Sequence, residues 1–101
     1  MPDKPVILAV DDHPPVLSAI LRDLRGRYGK DYRLLGAKSG PVALGVLQDL
    51  VLRNRTLALM LVDQKMPGMS GIDFLKEAIP LFPTARKVLL TAYANTDAAI
   101  R

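Results

Sequence analysis

Four oxygen-bearing side chains stand where short apolar runs of this 101-residue chain stop: Asp11 and Asp12 after Val6-Ile7-Leu8-Ala9-Val10, Asp63 after Leu57 to Val62, and Thr91 after Val88-Leu89-Leu90. Three carboxylates brought together without a counterion repel one another, and their protons are then held to higher pH than usual. A bound cation relieves that repulsion. With no cysteine and with His13 as the sole imidazole, the donors on offer are oxygens, which suits magnesium (Mg2+) better than zinc or copper. Magnesium uses one or two carboxylates and keeps several waters, so such a site stays open to a phosphate oxygen. A carboxylate beside it can attack a phosphoryl group and form an acyl phosphate. Asp63, alone at the tip of the most buried run, is the candidate nucleophile. Asp11 and Asp12 are the candidate metal ligands, and the Thr91 hydroxyl is a candidate donor to a phosphoryl oxygen. No glycine-rich phosphate cradle is present, so binding of a whole nucleotide is not indicated.

Taken singly, these residues have plainer readings. An acidic pair can end a strand and cap a helix, and a threonine at a strand end is common. Their order along the chain is what favours a site. His13, next to Pro14, reads as an exposed turn residue rather than a phosphocarrier or ligand, and Met60, Met66 and Met69 read as packing residues.

The elements that must position these groups follow from the apolar pattern. Val6 to Val10, Tyr32 to Ala37, Leu57 to Val62 and Val88 to Leu90 are strand candidates, and the run that ends at Asp63 is too short for an ordinary helix and too apolar for a two-faced strand. Pro14 and Pro15 suit a helix start, with Val16, Leu17, Ile20, Leu21 and Leu24 as its apolar stripe and Gly26 and Gly29 as its end. Ser39-Gly40-Pro41 opens a second helix with the stripe Ala43, Val46, Leu47, Leu50 and Val51. Ser70 and Asp73 have capping-box spacing ahead of Ile72, Leu75, Ala78 and Ile79. Asn95 or Thr96 can cap a last, partial helix. Strands alternating with helices predict a parallel sheet between helical layers. Right-handed crossovers then bring Asp11, Asp12, Asp63 and Thr91 to one edge.

Composition bounds the rest. Half the residues are hydrophobic and 24% are charged, a globular balance that fits one domain over residues 1–101. No stretch reaches membrane-span length, and Met1-Pro2-Asp3-Lys4-Pro5 does not open a secretory signal. Lack of cysteine excludes disulfides and suits a reducing cytoplasm. The net charge of +4 is scattered from Lys4 to Arg101, and the densest group, Arg22 to Arg33, is interrupted by Asp23 and Asp31. A solvated helix end and loop is the expectation there, with no direct nucleic-acid binding.

The ordered set resembles the receiver domain of two-component response regulators. Val6 to Asp12 is similar to its first strand with the acidic pair, Leu61-Val62-Asp63 with Met66-Pro67-Gly68-Met69-Ser70-Gly71 to its phosphoacceptor segment, and Val88-Leu89-Leu90-Thr91-Ala92 to the strand with its hydroxyl residue. Ser39-Gly40 followed by Ala43-Leu44 matches the opening of its second helix. The resemblance implies a flavodoxin-like (CheY-like) doubly wound parallel sheet. It also implies that Asp63 accepts a phosphoryl group from a sensor histidine kinase or phosphotransfer protein. Asp11, Asp12, Asp63 and the backbone carbonyl of Lys65 would hold Mg2+, with Thr91 hydrogen-bonded to the phosphoryl group. Such a domain is a switch for an output domain or partner protein, not an enzyme acting on other substrates. Gln64 with Lys65-Met66-Pro67-Gly68-Met69 is similar to receivers joined to larger output or catalytic domains, including flavin-dependent, thioredoxin-reductase-like enzymes.

One departure stands out: receivers continue through a fifth strand bearing a phosphate-binding lysine and then a fifth helix, and the chain stops before both. Neither Lys65 nor Lys87 replaces that lysine by motif. The fourth strand is then expected at a sheet edge, with a homodimer, a swapped dimer or a marginal fragment as the outcome. A docking or dimerisation module without phosphorylation is the competing function. An aspartyl phosphohydrolase ranks last, because Lys65 occupies the place of the usual second acid.

Overall fold

The computed structural model describes residues 3–90. Their order is β1 (Val6–Val10), α1 (Pro14–Tyr28), β2 (Arg33–Ala37), α2 (Gly40–Leu52), β3 (Leu57–Asp63), α3 (Gly71–Ala78) and β4 (Arg86–Leu90). All strand pairs are parallel, in the order β2-β1-β3-β4. From β1 the chain winds outward to β2 and then returns to the far side of β1 as β3. This reversal leaves a crevice beyond the carboxyl ends of β1 and β3, where ligands of open α/β sheets bind. Thr91 and the helix expected after Asn95 lie outside the described residues, as does any element after β4.

Every residue of β1 is buried, as a central strand covered on both faces requires. Val6, Leu8 and Val10 join Leu47 of α2, Met60 and Val62 of β3, and Phe74 of α3 in one core. The alternating Ile7 and Ala9 point to the other face. There Leu17 and Leu21 of α1 close over Gly36, where a Cβ atom would stand 2.7 Å from Leu21 Cδ1.

Three apolar stripes need correction. Gly26 does not end α1, which runs on to Tyr28, and Val16 and Val51 face solvent. In α3 the buried residues are Gly71, Phe74 and Ala78, while Ile72 and Ile79 are 45% and 43% exposed. The cause is the entry of the helix. A Cβ at Gly71 would stand 2.6 Å from the Asp63 carbonyl oxygen and 2.7 Å from Leu89 Cδ1, so this face meets the sheet and the residues three and seven further on follow it inward.

Both serine caps form: Ser39 Oγ accepts from Val42 N at 3.2 Å and Ser70 Oγ from Asp73 N at 3.1 Å. Ser70→Ala should lower stability by about 1 kcal/mol, read as a lower urea midpoint at unchanged slope. Among the described residues β4 is an edge strand, and its Val88 is exposed.

Candidate functional site

The site begins where β1 runs out of apolar residues. Asp11 still belongs to the ladder, its N–H donating to Ala37 O at 3.1 Å, and its carboxylate is buried there. The chain then reverses through His13, the N-cap of α1. That turn points the His13 N–H at Asp11 Oδ1 (2.9 Å) and sets His13 Nδ1 at 3.2 Å from Asp11 Oδ1 and 3.1 Å from Asp12 Oδ1. The last contact has the distance of an ion pair but not the direction of a hydrogen bond. Asp12 Oδ1 is therefore buried without a hydrogen-bond partner among the described residues.

Asp63 enters from β3, opposite Leu90 of β4. The loop that follows is fastened at both ends. Gln64 N donates to Leu90 O (3.3 Å), Gly71 N donates to Gln64 O (3.0 Å), and Gln64 Oε1 accepts from Ile72 N (2.9 Å), so one side chain caps α3 from across the loop. Gly68 takes a left-handed φ of 79°, open to glycine at little cost.

Together these elements bring ligand atoms of Asp11, Asp12, His13 and Asp63 within 4.8 Å of one another. The electrostatics carry the mark of that crowding. Burial, then the charge of Asp11, raises the Asp63 pKa above its ordinary value, against the opposing backbone hydrogen bond from Lys65. The His13 pKa is also raised, first by its hydrogen bond to Asp11 and next by the charge of Asp12. The donor set fits a hard dication: three carboxylates converge, and one of their oxygens is buried with no donor to satisfy it.

Of the sequence candidates, the fold gathers Asp11, Asp12 and Asp63 and places Lys65 next to them, while Thr91 lies outside the described residues. His13 is exposed, as a turn residue should be, yet its Nδ1 also stands against both carboxylates of the acidic pair. Gln64 was missed as the clasp of α3, and nothing in the local pattern marks an amide for that task. Lys87 donates to Pro83 O and Ala85 O at the amino end of β4, on the far edge from Asp63.

A family profile, the response regulator receiver domain, matches residues 7–101. The chain belongs to that family. Among its relatives, this receiver is 34% identical over 91 residues to the sporulation initiation phosphotransferase F of Bacillus subtilis, covering 90% of the chain and 67% of that protein. It is 31% identical over 98 residues to the hydrogenase transcriptional regulatory protein HoxA of Cupriavidus necator, covering 96% of the chain and 18% of the regulator. The receiver thus spans about a fifth of the length of the transcriptional regulators it matches. Among solved structures, the response regulator TrrA of Thermotoga maritima in complex with Mg(2+)-BeF superposes with a TM-score of 0.71 at 28% identity, over 93% of this chain and 75% of that one. TrrA in complex with the histidine kinase ThkA gives 0.69 at 29% identity, over 88% and 70%.

Proposed function

We propose that Asp63 is the phosphoacceptor of a two-component signalling switch and that Asp11, Asp12, Asp63 and the backbone carbonyl of Lys65 hold Mg2+. The observation that carries this reading is the convergence of three carboxylates, one with a buried unsatisfied oxygen, at the β1/β3 crevice of a receiver. When bound, the metal neutralises the carboxylates and the phosphoryl oxygens. The Lys65 N–H bonded to the Asp63 carboxylate limits its rotation. An Asp63 oxygen attacks phosphorus, the bond from phosphorus to a donor histidine nitrogen breaks, and the electron pair leaves with the imidazole. Thr91 donates its hydroxyl to a transferred oxygen.

A sensor histidine kinase or phosphotransfer protein is the proposed donor, a choice supported by the kinase complex of TrrA. An output domain or partner protein is the proposed recipient of the signal, supported by the greater length of the relatives. The receiver's own chemistry ends with phosphorylation and hydrolysis at Asp63. No helix among the described residues is long and apolar enough to cross a membrane, and the cytoplasm is the proposed compartment.

Incubation with magnesium and a small phosphodonor, followed by intact-mass measurement, should show one added phosphoryl group on the wild type and none on Asp63→Asn. An adduct that survives Asp63→Asn places the acceptor elsewhere. Lack of an adduct on the wild type defeats the proposal.

A further inference from the structure

Cations gather at the amino-terminal edge of the sheet, opposite the acidic cluster. Arg33 opens β2, level with Val6 of β1, and Arg55 leads into β3 with its N–H on Leu50 O (2.9 Å). Two adjoining concavities of about 570 and 660 Å³ share these two arginines. The larger also takes Asp3, Lys4, Arg25 and Tyr32 into its wall.

An account of their partners separates the spent charges from the free ones. Arg53 of the smaller concavity is paired with Asp49 at 2.9 Å, and Lys4 Nζ donates to Gly29 O at 3.0 Å. Arg55 Nε lies 3.4 Å from Asp3 Oδ2 but is buried without a hydrogen-bond partner, a costly condition for a charged donor. The side chains of Arg25 and Arg33 have neither a hydrogen bond nor an ion pair among the described residues. Three guanidinium groups thus face one concavity whose single carboxylate, Asp3, is largely exposed.

We propose that this concavity binds a small, multiply charged phosphate anion of the pyrophosphate type, held by Arg25, Arg33 and Arg55. Guanidinium forks match the oxygens of a phosphoryl group in pairs, and three of them demand more than one negative charge. The volume admits more than one phosphoryl group. Arg25, Arg33 and Arg55 come from three separate segments to the wall of one shallow concavity, which favours a compact anion over a nucleic-acid backbone.

Calorimetric titration of the protein with inorganic pyrophosphate, free of divalent cations and at constant ionic strength, tests the proposal. One equivalent should bind, and more tightly than inorganic phosphate. Arg33→Gln, at an exposed position where folding is not at stake, should weaken binding about tenfold or more. Asp3→Asn, which removes the carboxylate facing Arg55, should tighten it. Arg53→Gln and Asp63→Asn should bind as the wild type does. Absence of stoichiometric binding overturns the site. So does equal weakening by Arg33→Gln and Arg53→Gln, the signature of diffuse surface charge, or loss of binding in Asp63→Asn, which would locate the anion at the acidic edge.

Discussion

Phe74→Ala should cost about 3–5 kcal/mol, the usual penalty for emptying a buried aromatic position. Phe74 is fully buried and is the largest side chain of the core, set among Leu47, Met60 and Val62. Domains of this size hold roughly 5–15 kcal/mol in total, so the variant stands near its unfolding threshold and should melt more than about 10 °C lower. Ile72→Ala, two positions earlier in the same helix but half-exposed, should cost only a small fraction of that. Thermal melts of the two variants side by side check the register of α3. A larger loss from Ile72→Ala would mean that the helix presents its other face.

Asp63→Asn should change stability in opposite directions with and without magnesium. The folded-state pKa of Asp63 is raised, so its favourable contribution is complete below the ordinary carboxylate pKa and is lost as pH rises through the raised value. Above that raised value, without metal, the charged carboxylate is partly desolvated and repelled by Asp11. An amide carries no such charge, so Asp63→Asn should melt higher than the wild type. Its advantage should grow as pH rises through the carboxylate range and then level off. Magnesium at the proposed site should reverse the order by mass action, since a ligand at a hundred times its dissociation constant stabilises the folded state by about 2.7 kcal/mol. If Asp63 is a ligand as proposed, the wild type should gain that amount and the variant less. Melting curves at several pH values, with magnesium and with chelator, separate the two effects. A variant that melts lower under both conditions would contradict the crowding of charge at this edge.

The parts of the fold that depend on neighbours in sequence were legible there. Val6 to Val10 had to be a covered strand, and the step from Val10 to Asp11 and from Val62 to Asp63 marked where each strand leaves the core. Topology did the remaining work, because right-handed crossovers carry both strand ends to one edge. The parts that depend on contacts across the fold were not legible. Ile72 and Ile79 make a convincing stripe with Leu75 and Ala78 until Gly71 meets the Asp63 carbonyl and turns Phe74 inward. His13 shows its partners only once the chain has reversed at the start of α1, and Gln64 shows its own only once Ile72 is across the loop. Val51 and Leu52 continue an apolar helix past the region the sheet can cover.

Gly71 has a mechanical consequence. With no side chain there, the backbone of α3 rests directly on the carbonyl of Asp63, and Gln64 clasps the next residue by its amide. Nothing compressible separates the acid's main chain from the helix. The acid's main chain and the start of α3 are thus joined as one rigid corner, and Met66 and Met69, packed on the core, hold down the loop between them.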